Sequence, residues 1–318
     1  MIELVIKESE SGQRLDKFLR RYLPEAGSGF LYRMMRKKNI VLNGKKAEGR
    51  ELLKPGDTIK IFFSDETIAK FKGRGLAEEG LPALKQEWIL YEDSDMLVLN
   101  KPAGILSQKG EDDTPSMVEY IRGYLVKKGE LTEESLRFYK PGVVNRLDRN
   151  TSGILLAAKT LAAARSLSLE LKERTADKFY LAVVHGKPEK AAHAAAWLAR
   201  TEADPNHKVR IADEFFEGAS RIETEYEPIS SGREYSLLKV RLITGKTHQI
   251  RCHLASLGYP IAGDRKYGIR EAKAPKRQML HAWKLQIEMG SNDKKTFTAP
   301  VPEDMLDFMT RDGISFAE

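Results

Sequence analysis

Residues 143–159 read VVNRLDRNTSGILLAAK, and the fold is best read outward from this stretch. A short strand leads into Arg146-Leu147-Asp148-Arg149, a tight polar turn follows at Asn150-Thr151-Ser152-Gly153, and an apolar run closes the segment. Such a run, bounded by turn residues, reads as a buried strand. Asp148 then sits where a loop emerges from a sheet, between two arginines. A carboxylate near fixed positive charge stays ionised at neutral pH, and an ionised carboxylate can act as a nucleophile or an electrostatic stabiliser. The same pattern also describes an acid that caps a turn and pairs with a neighbouring arginine. The segment alone leaves both readings open.

On either side the pattern stays rich in strands. WILYEDSDMLVLNKP (88–102) holds two short apolar strands around an Asp-Ser-Asp turn. TLAAARSLSLELKER (160–174) is an amphipathic helix with Thr160 as its N-cap. KFYLAVVHG (178–186), SLLKVRLIT (236–244) and LHAWKLQIEM (280–289) are further strands, and THQIRCHLASLG (247–258) is a helix ended by Gly258. Strands outnumber helices without alternating regularly with them, which predicts an α+β fold with a mainly antiparallel, mixed sheet. Alternation in KFYLAVV puts Phe179 on the core side and Tyr180 on the opposite one.

Residues 1–63 form a separate unit in this reading. RLDKFLRRYL (14–23) carries Leu15, Phe18, Leu19 and Tyr22 at helical spacing, and SGFLYRMMRKK (28–38) repeats the pattern with Phe30, Leu31, Met34 and Met35 inward. IVLNGKKA supplies a strand and an Asn43-Gly44 turn, and KPGDTIKIFF a turn and a strand. Residues 64–86 lose this periodicity and read as a linker to a unit spanning 87–318.

The chain carries 53 Lys/Arg against 46 Asp/Glu, a net charge of +7. Residues 1–63 alone hold 14 basic and 8 acidic residues, so +6 of that excess lies there. Arg33, Arg36, Lys37 and Lys38 gather at one helix end, Lys45 and Lys46 follow the turn, and no acid intervenes between Glu25 and Glu48. This is the footprint of a polyphosphate partner, although a solubilising surface has the same composition. A single cysteine, Cys252, excludes an internal disulfide, fits a reducing compartment and removes cysteine-rich zinc sites. No signal peptide or membrane-length apolar run is present, so a cytoplasmic, membrane-free protein is expected, with a monomer as the default.

Several local patterns admit simple structural readings. His248 and His253 stand five apart, about 140° around a helix, and are not expected to share a metal. His248 and Arg251, three apart, do share a face; a joint role near a site and a purely structural role for His248 both remain open. Lys101-Pro102-Ala103-Gly104 lacks the spacing of a phosphate loop and reads as a rigid turn. Asp264 and Tyr267 are expected to shape a turn. Arg270, Lys273, Lys276 and Arg277 form a second basic cluster, either facing a polyanion or solvated.

RLDRNTSG closely resembles the R-L-D-x-x-T-S-G signature of the RluA-type pseudouridine synthases. ILYEDSDMLVLNKPAG (89–104), DKFYLAVVHG (177–186), ITGKTHQIRCHLASLGYPIAGDRKYG (243–268) and LHAWKL (280–285) resemble the family's other blocks, in the same order over nearly 200 residues. Residues 14–63 look like the small alpha-L RNA-binding module that the C and D types of the family carry, and FLYRMMRKKNIVLNGKK looks more like the C type.

The resemblance implies an isomerase that converts uridine to pseudouridine in structured RNA, most naturally 23S ribosomal RNA or a ribosomal precursor particle, with no cofactor. It implies that Asp148 attacks a flipped uridine and that Arg146 fills the space the base leaves. Tyr180 would pack on the base and move a proton, and Arg251 would pair with Asp148, with Lys246 as the other candidate. Lys246 and His248 would face the substrate. The family usually has histidine where this chain has Asn145, and often another where it reads Leu106-Ser107-Gln108. A tRNA substrate and a non-catalytic ribosome-assembly factor are the rival readings. A two-carboxylate hydrolase is more remote, since no block supplies a second acid.

Overall fold

A computed structural model of the chain describes residues 1–72, 80–132, 139–200, 209–270, 274–288 and 294–316. The N-terminal strands β1 (Ile2–Val5), β2 (Ile40–Leu42), β3 (Lys45–Lys46) and β4 (Thr58–Ile61) form a four-stranded sheet in the order β1-β4-β2-β3. The β2–β3 hairpin turns on Asn43 and Gly44, whose φ angles of 51° and 71° are those of the turn type that Asn-Gly favours. Helices α1 (Leu15–Tyr22) and α2 (Ser28–Arg36) cover this sheet. Leu15, Phe18, Leu19 and Tyr22 are all buried, as their spacing predicts, whereas of the second set Leu31 and Met35 are buried and Phe30 and Met34 only partly so.

The run read as a linker begins with a helix, α3 (Asp65–Lys72). Its Ile68 is buried in the N-terminal core and its Phe71 packs against the same cluster, with the Phe71 ring 4.7 Å from that of Phe30. Two apolar side chains three apart make too short a signal to separate an amphipathic turn of helix from loop by eye. Residues 73–79 of that run lie outside the described residues.

The second sheet contains β5 (Ile89–Glu92), β6 (Met96–Lys101), β7 (Gly142–Val143), β8 (Ser152–Ala158), β9 (Asp177–His185), β10 (Ala192–Arg200), β11 (Val209–Ala212), β12 (Ser220–Ser231), β13 (Tyr235–Leu242), β14 (Leu280–Glu288) and β15 (Lys294–Thr298). Its main path runs β11-β10-β12-β13-β9-β14-β8-β6-β5, with β15 added to β14 and β7 to β8. Every described pairing is antiparallel except β14 against β8. The fold is α+β with a mixed, mainly antiparallel sheet, preceded by a small N-terminal domain with its own four-stranded sheet.

Both faces of the central strands are buried, which explains their near-continuous apolar runs. Leu97, Leu99, Leu155, Ala157, Tyr180 and Ala182 point to one face. That face is covered by α4 (Met117–Lys127) through Met117, Ile121 and Leu125, and by α6 (Gln249–Ser256) through Ile250 and Leu254. Each such side chain contributes about 1.5–3 kcal/mol on burial. On the other face, α5 (Leu161–Glu173) packs Leu167 against Met96, Val98 and Leu156. There α7 (Glu303–Asp312) packs Met305 and Met309 against Leu181 and Val183. Thr160 caps α5 by accepting from the Ala163 amide at 3.2 Å, as its position predicts.

Two-sided cover corrects the expectation for Tyr180. The alternation holds, but Tyr180 faces the larger core and is 8% exposed, while Phe179 packs only partly against the smaller one. Among the described residues no helix is long and apolar enough to cross a membrane.

Candidate active site

Asp148 lies in the loop joining β7 to β8, and that loop is held both by a buried side chain and by its backbone. Leu147, 7% exposed, anchors it in the core. The Ser107 hydroxyl receives the Leu147 amide at 3.0 Å and donates to the Leu147 carbonyl at 2.8 Å. The Arg149 carbonyl accepts from the Gly104 amide at 2.8 Å and from Lys101 Nζ at 3.0 Å. Lys101 is fully buried and also donates to the Pro102 and Ile105 carbonyls at 2.9 and 2.8 Å. Burial pulls its amine down to about 7, with Asp148 opposing the shift. The stretch read as a rigid turn is therefore the brace of the aspartate loop.

Just beyond the loop, Gly153 has φ 108°, and a Cβ there would run into the Ala282 backbone across the parallel pairing. Asn145 acts as a piece of sheet: its side chain donates to the Ile154 carbonyl at 3.2 Å and accepts from the Leu156 amide at 2.7 Å. That occupation is structural and points away from any chemistry at this position.

Arg251, on α6, donates from Nη1 to Asp148 Oδ2 at 2.8 Å. Its Nε and Nη2 grip Asp264 Oδ2 and Oδ1 at 2.7 and 2.8 Å. Asp264 is fully buried at its side chain and also accepts the Lys266 and Tyr267 amides at 2.9 and 3.1 Å. Burial works against its charge, but Arg251 and these amides win and hold its carboxyl below the usual range. Burial likewise opposes the Arg251 charge, yet Asp264 and Asp148 push its affinity for the proton up. Arg251 is thus a permanent cation with one N–H group reserved for Asp148. Among the described residues Asp148 Oδ1 has no hydrogen-bond partner.

His248 stands on the same carboxylate oxygen, its Nε2 3.9 Å from Asp148 Oδ2. It is the cap preceding α6 rather than a helical residue, with a left-handed φ of 57°. That backbone costs a non-glycine residue about 1–2 kcal/mol, and it turns the ring toward the side on which Arg251 projects. Burial lowers the His248 pKa, with Asp148 opposing, which favours the neutral ring. His253 is separate, buried against Thr224 Oγ1 at 3.0 Å.

These groups open onto a cleft of about 1120 Å³. Among the described residues it is lined by nine Lys or Arg side chains and by one acid, Asp148. Tyr180 forms part of the wall, and burial followed by the Asp148 charge pushes its phenol pKa up, so it stays protonated. Arg146 is exposed at the rim, and Lys246 is exposed on the facing loop with no ion pair to Asp148 among the described residues. Of the two candidate partners, Arg251 is the one that reaches the aspartate.

Arg33, Arg36, Lys37, Lys38, Lys45 and Lys46 are all exposed, at the end of α2 and along the β2–β3 hairpin. The second basic cluster divides. Arg277 is 8% exposed and grips the exposed Asp304 at 2.6 and 2.7 Å, so its guanidinium is tied to the surface of α7 rather than offered to a polyanion. A proline-containing loop gave no sign of that burial. Arg270 and Lys276 are exposed, and Lys273 lies outside the described residues.

Sequence reasoning treated Asp264, Tyr267 and Lys101 as turn formers only. A buried arginine needs a carboxylate, and Asp264 in the same block was the available signal for its role.

The family model described as RNA pseudouridylate synthase matches residues 95–256, which hold the aspartate loop, Tyr180, His248 and Arg251. The chain is 33% identical over 303 residues to "Ribosomal large subunit pseudouridine synthase C" of Vibrio parahaemolyticus, covering 91% of this chain and 89% of that one. It is also 33% identical over 270 residues to "Ribosomal large subunit pseudouridine synthase D" of Borreliella burgdorferi, covering 84% and 81%. Among solved structures, "Human RNA Pseudouridylate Synthase Domain Containing 1" aligns with TM-score 0.53 at 26% identity, covering 69% of this chain and 86% of that one. "Human RNA Pseudouridylate Synthase Domain Containing 4" shares the fold with TM-score 0.58 at 20% identity, covering 72% and 94%. On these grounds the chain belongs to the RNA pseudouridylate synthase family and is an isomerase of that kind.

Proposed function

We propose that this protein isomerises uridine to pseudouridine in large-subunit ribosomal RNA, with Asp148 as the nucleophile on a flipped uridine. The observation that carries the reading is a lone carboxylate in a cationic cleft, its Oδ2 held by Arg251 and its Oδ1 unpartnered among the described residues. Asp148 Oδ1 attacks the sugar carbon, and the bond from that carbon to the ring nitrogen breaks. The freed uracil rotates in the cleft and its carbon five forms the new bond as the aspartate leaves. The proton lost from that carbon is balanced by one gained at the former glycosidic nitrogen, so no co-reactant enters. That Asp148 is the one acid among the described residues lining the cleft disfavours a two-carboxylate hydrolase.

The surrounding residues suit each step. A uridine must leave its stack before any side chain reaches its sugar, at a cost of a few kcal/mol, and an exposed Arg146 at the rim can occupy the vacated space. Tyr180 offers an apolar face to the uracil and a protonated phenol for proton transfer. Lys246 and other exposed lysines of the cleft, Lys109 and Lys172, neutralise phosphates beside the target. The exposed cations of α2 and the β2–β3 hairpin extend the RNA-binding surface. Ribosomal RNA is favoured as substrate because the relatives above are named for the large ribosomal subunit.

The test is site-by-site pseudouridine mapping of unmodified ribosomal RNA incubated with the protein, with Asp148→Asn in parallel. New pseudouridines made only by the wild type are expected, with RNA affinity retained in the variant, since affinity comes mainly from phosphate contacts. Conversion confined to transfer RNA would replace the substrate class. Silence on both RNAs would overturn the enzymatic reading in favour of a binding factor.

A further inference from the structure

The turn after α6 does more for the aspartate than carry Asp264. Tyr267 Oη lies 3.0 Å from His248 Nδ1 and receives the Val209 amide at 3.3 Å. An amide N–H only donates, so it takes up acceptor capacity on the phenol oxygen and leaves the phenol's one hydrogen to be placed. Among the described residues its sole acceptor is His248 Nδ1. A second observation points the same way. His248 Nε2 faces the carboxylate oxygen Asp148 Oδ2 at 3.9 Å, where a lone pair on nitrogen would oppose one on oxygen and an N–H would be attracted. The Tyr267 ring also carries the Arg251 guanidinium, with its central carbon 5.3 Å from the ring centroid, and meets the His248 ring edge-on at 5.7 Å. One side chain therefore touches both groups that approach Asp148 Oδ2.

We propose that Tyr267 is a positioning residue that fixes His248 as its Nε2–H tautomer, so that His248 joins Arg251 as a second donor to Asp148 Oδ2 and leaves Oδ1 as the attacking oxygen. At 3.9 Å the contact is open in the free protein, and it closes to hydrogen-bond length when the uridine is seated. Catalytic hydrogen bonds are commonly long before substrate arrives. His248 acts as a neutral donor and is not consumed as an acid. The inference rests on the functional reading above for its catalytic consequence, but the tautomer itself does not depend on any activity.

Two measurements test it. The imidazole nitrogen shifts of His248 in 15N-histidine-labelled protein are expected to show Nδ1 without a proton and Nε2 with one, and to lose that preference in Tyr267→Phe. A protonated Nδ1 in the wild type overturns the proposal whatever RNA the protein modifies. The second measurement is turnover on an RNA that the wild type converts. His248→Gln places an amide N–H where Nε2–H stood and needs no tautomer, so it is expected to lose less kcat than His248→Ala and recover most of that variant's loss. His248→Ala is expected to lose roughly 30-fold in kcat with little change in KM, the worth of one hydrogen bond to a charged group. Tyr267→Phe should lower kcat in the parent and have no further effect in the His248→Gln background. An equal loss in both backgrounds would mean that Tyr267 only supports the fold and would overturn the proposal, as would no loss in the parent. If the wild type converts no RNA at all, the functional reading fails, and the nitrogen shifts still decide the tautomer.

Discussion

Asp264→Asn removes one oxygen charge from a fully buried side chain, and its cost follows from the bonds that side chain makes. Oδ1 accepts Arg251 Nη2, the Lys266 amide and the Tyr267 amide, while Oδ2 accepts only Arg251 Nε among the described residues. Asparagine keeps the most by leaving its carbonyl oxygen at the Oδ1 position. Its amide nitrogen then meets Arg251 Nε–H, donor against donor. One charge-assisted hydrogen bond disappears, worth about 1.5–3 kcal/mol, and a buried donor is left unsatisfied at about 1–3 kcal/mol. Part of this is offset because a neutral amide is cheaper to bury than a carboxylate. The net expectation is a loss of about 3 kcal/mol, the low end for breaking a buried pair. Urea unfolding at neutral pH reads it as a fall in midpoint at unchanged slope. A loss under about 1 kcal/mol would refute the claim that Asp264 holds Arg251 in place, because so small a cost would require Arg251 to find another partner.

Two further perturbations probe other parts of the molecule. His281 is buried between Ser152 Oγ at 2.9 Å and the Ala299 carbonyl at 3.2 Å, and burial lowers its pKa to about 4. As pH falls below about 6.5 the unfolded chain takes up this proton before the folded one, so stability drops through the window from about 6.5 to 4. Between pH 7.5 and 5 the wild type is expected to lose about 2 kcal/mol more than His281→Gln, and parallel unfolding curves for the two would count against this. Neutralising Arg33, Arg36, Lys37 and Lys38 to glutamine should flatten the dependence of RNA affinity on salt by about one unit of log-log slope for each phosphate that no longer meets a cation, and an unchanged slope would remove this surface from the binding site.

Much of the architecture could be read from local pattern. The helical spacing in residues 14–36, the Asn43-Gly44 hairpin and the Thr160 cap are interactions among near neighbours in the chain, and each appears where the spacing puts it. The weak two-residue signal of α3 and the burial of Arg277 escaped that reading, since both depend on what the rest of the chain packs against them.

What the sequence determined by itself was the strands and helices around the RLDRNTSG segment and in residues 14–63, the mixed α+β class, and a family resemblance specific enough to single out Asp148, Tyr180 and Arg251. Alternation along a strand separates two faces, but it cannot say which face lies against the larger core when both are covered, so the environment of Tyr180 was decided only by the packing of α4, α6 and α7 on the sheet. The ion pair between Asp148 and Arg251 spans 103 residues of chain, and the buried brace from Lys101 to the aspartate loop spans 48. Which of several cations reaches a carboxylate depends on where a loop and a helix cap meet in space. No local rule of spacing carries that information, and only the assembled tertiary structure supplies it.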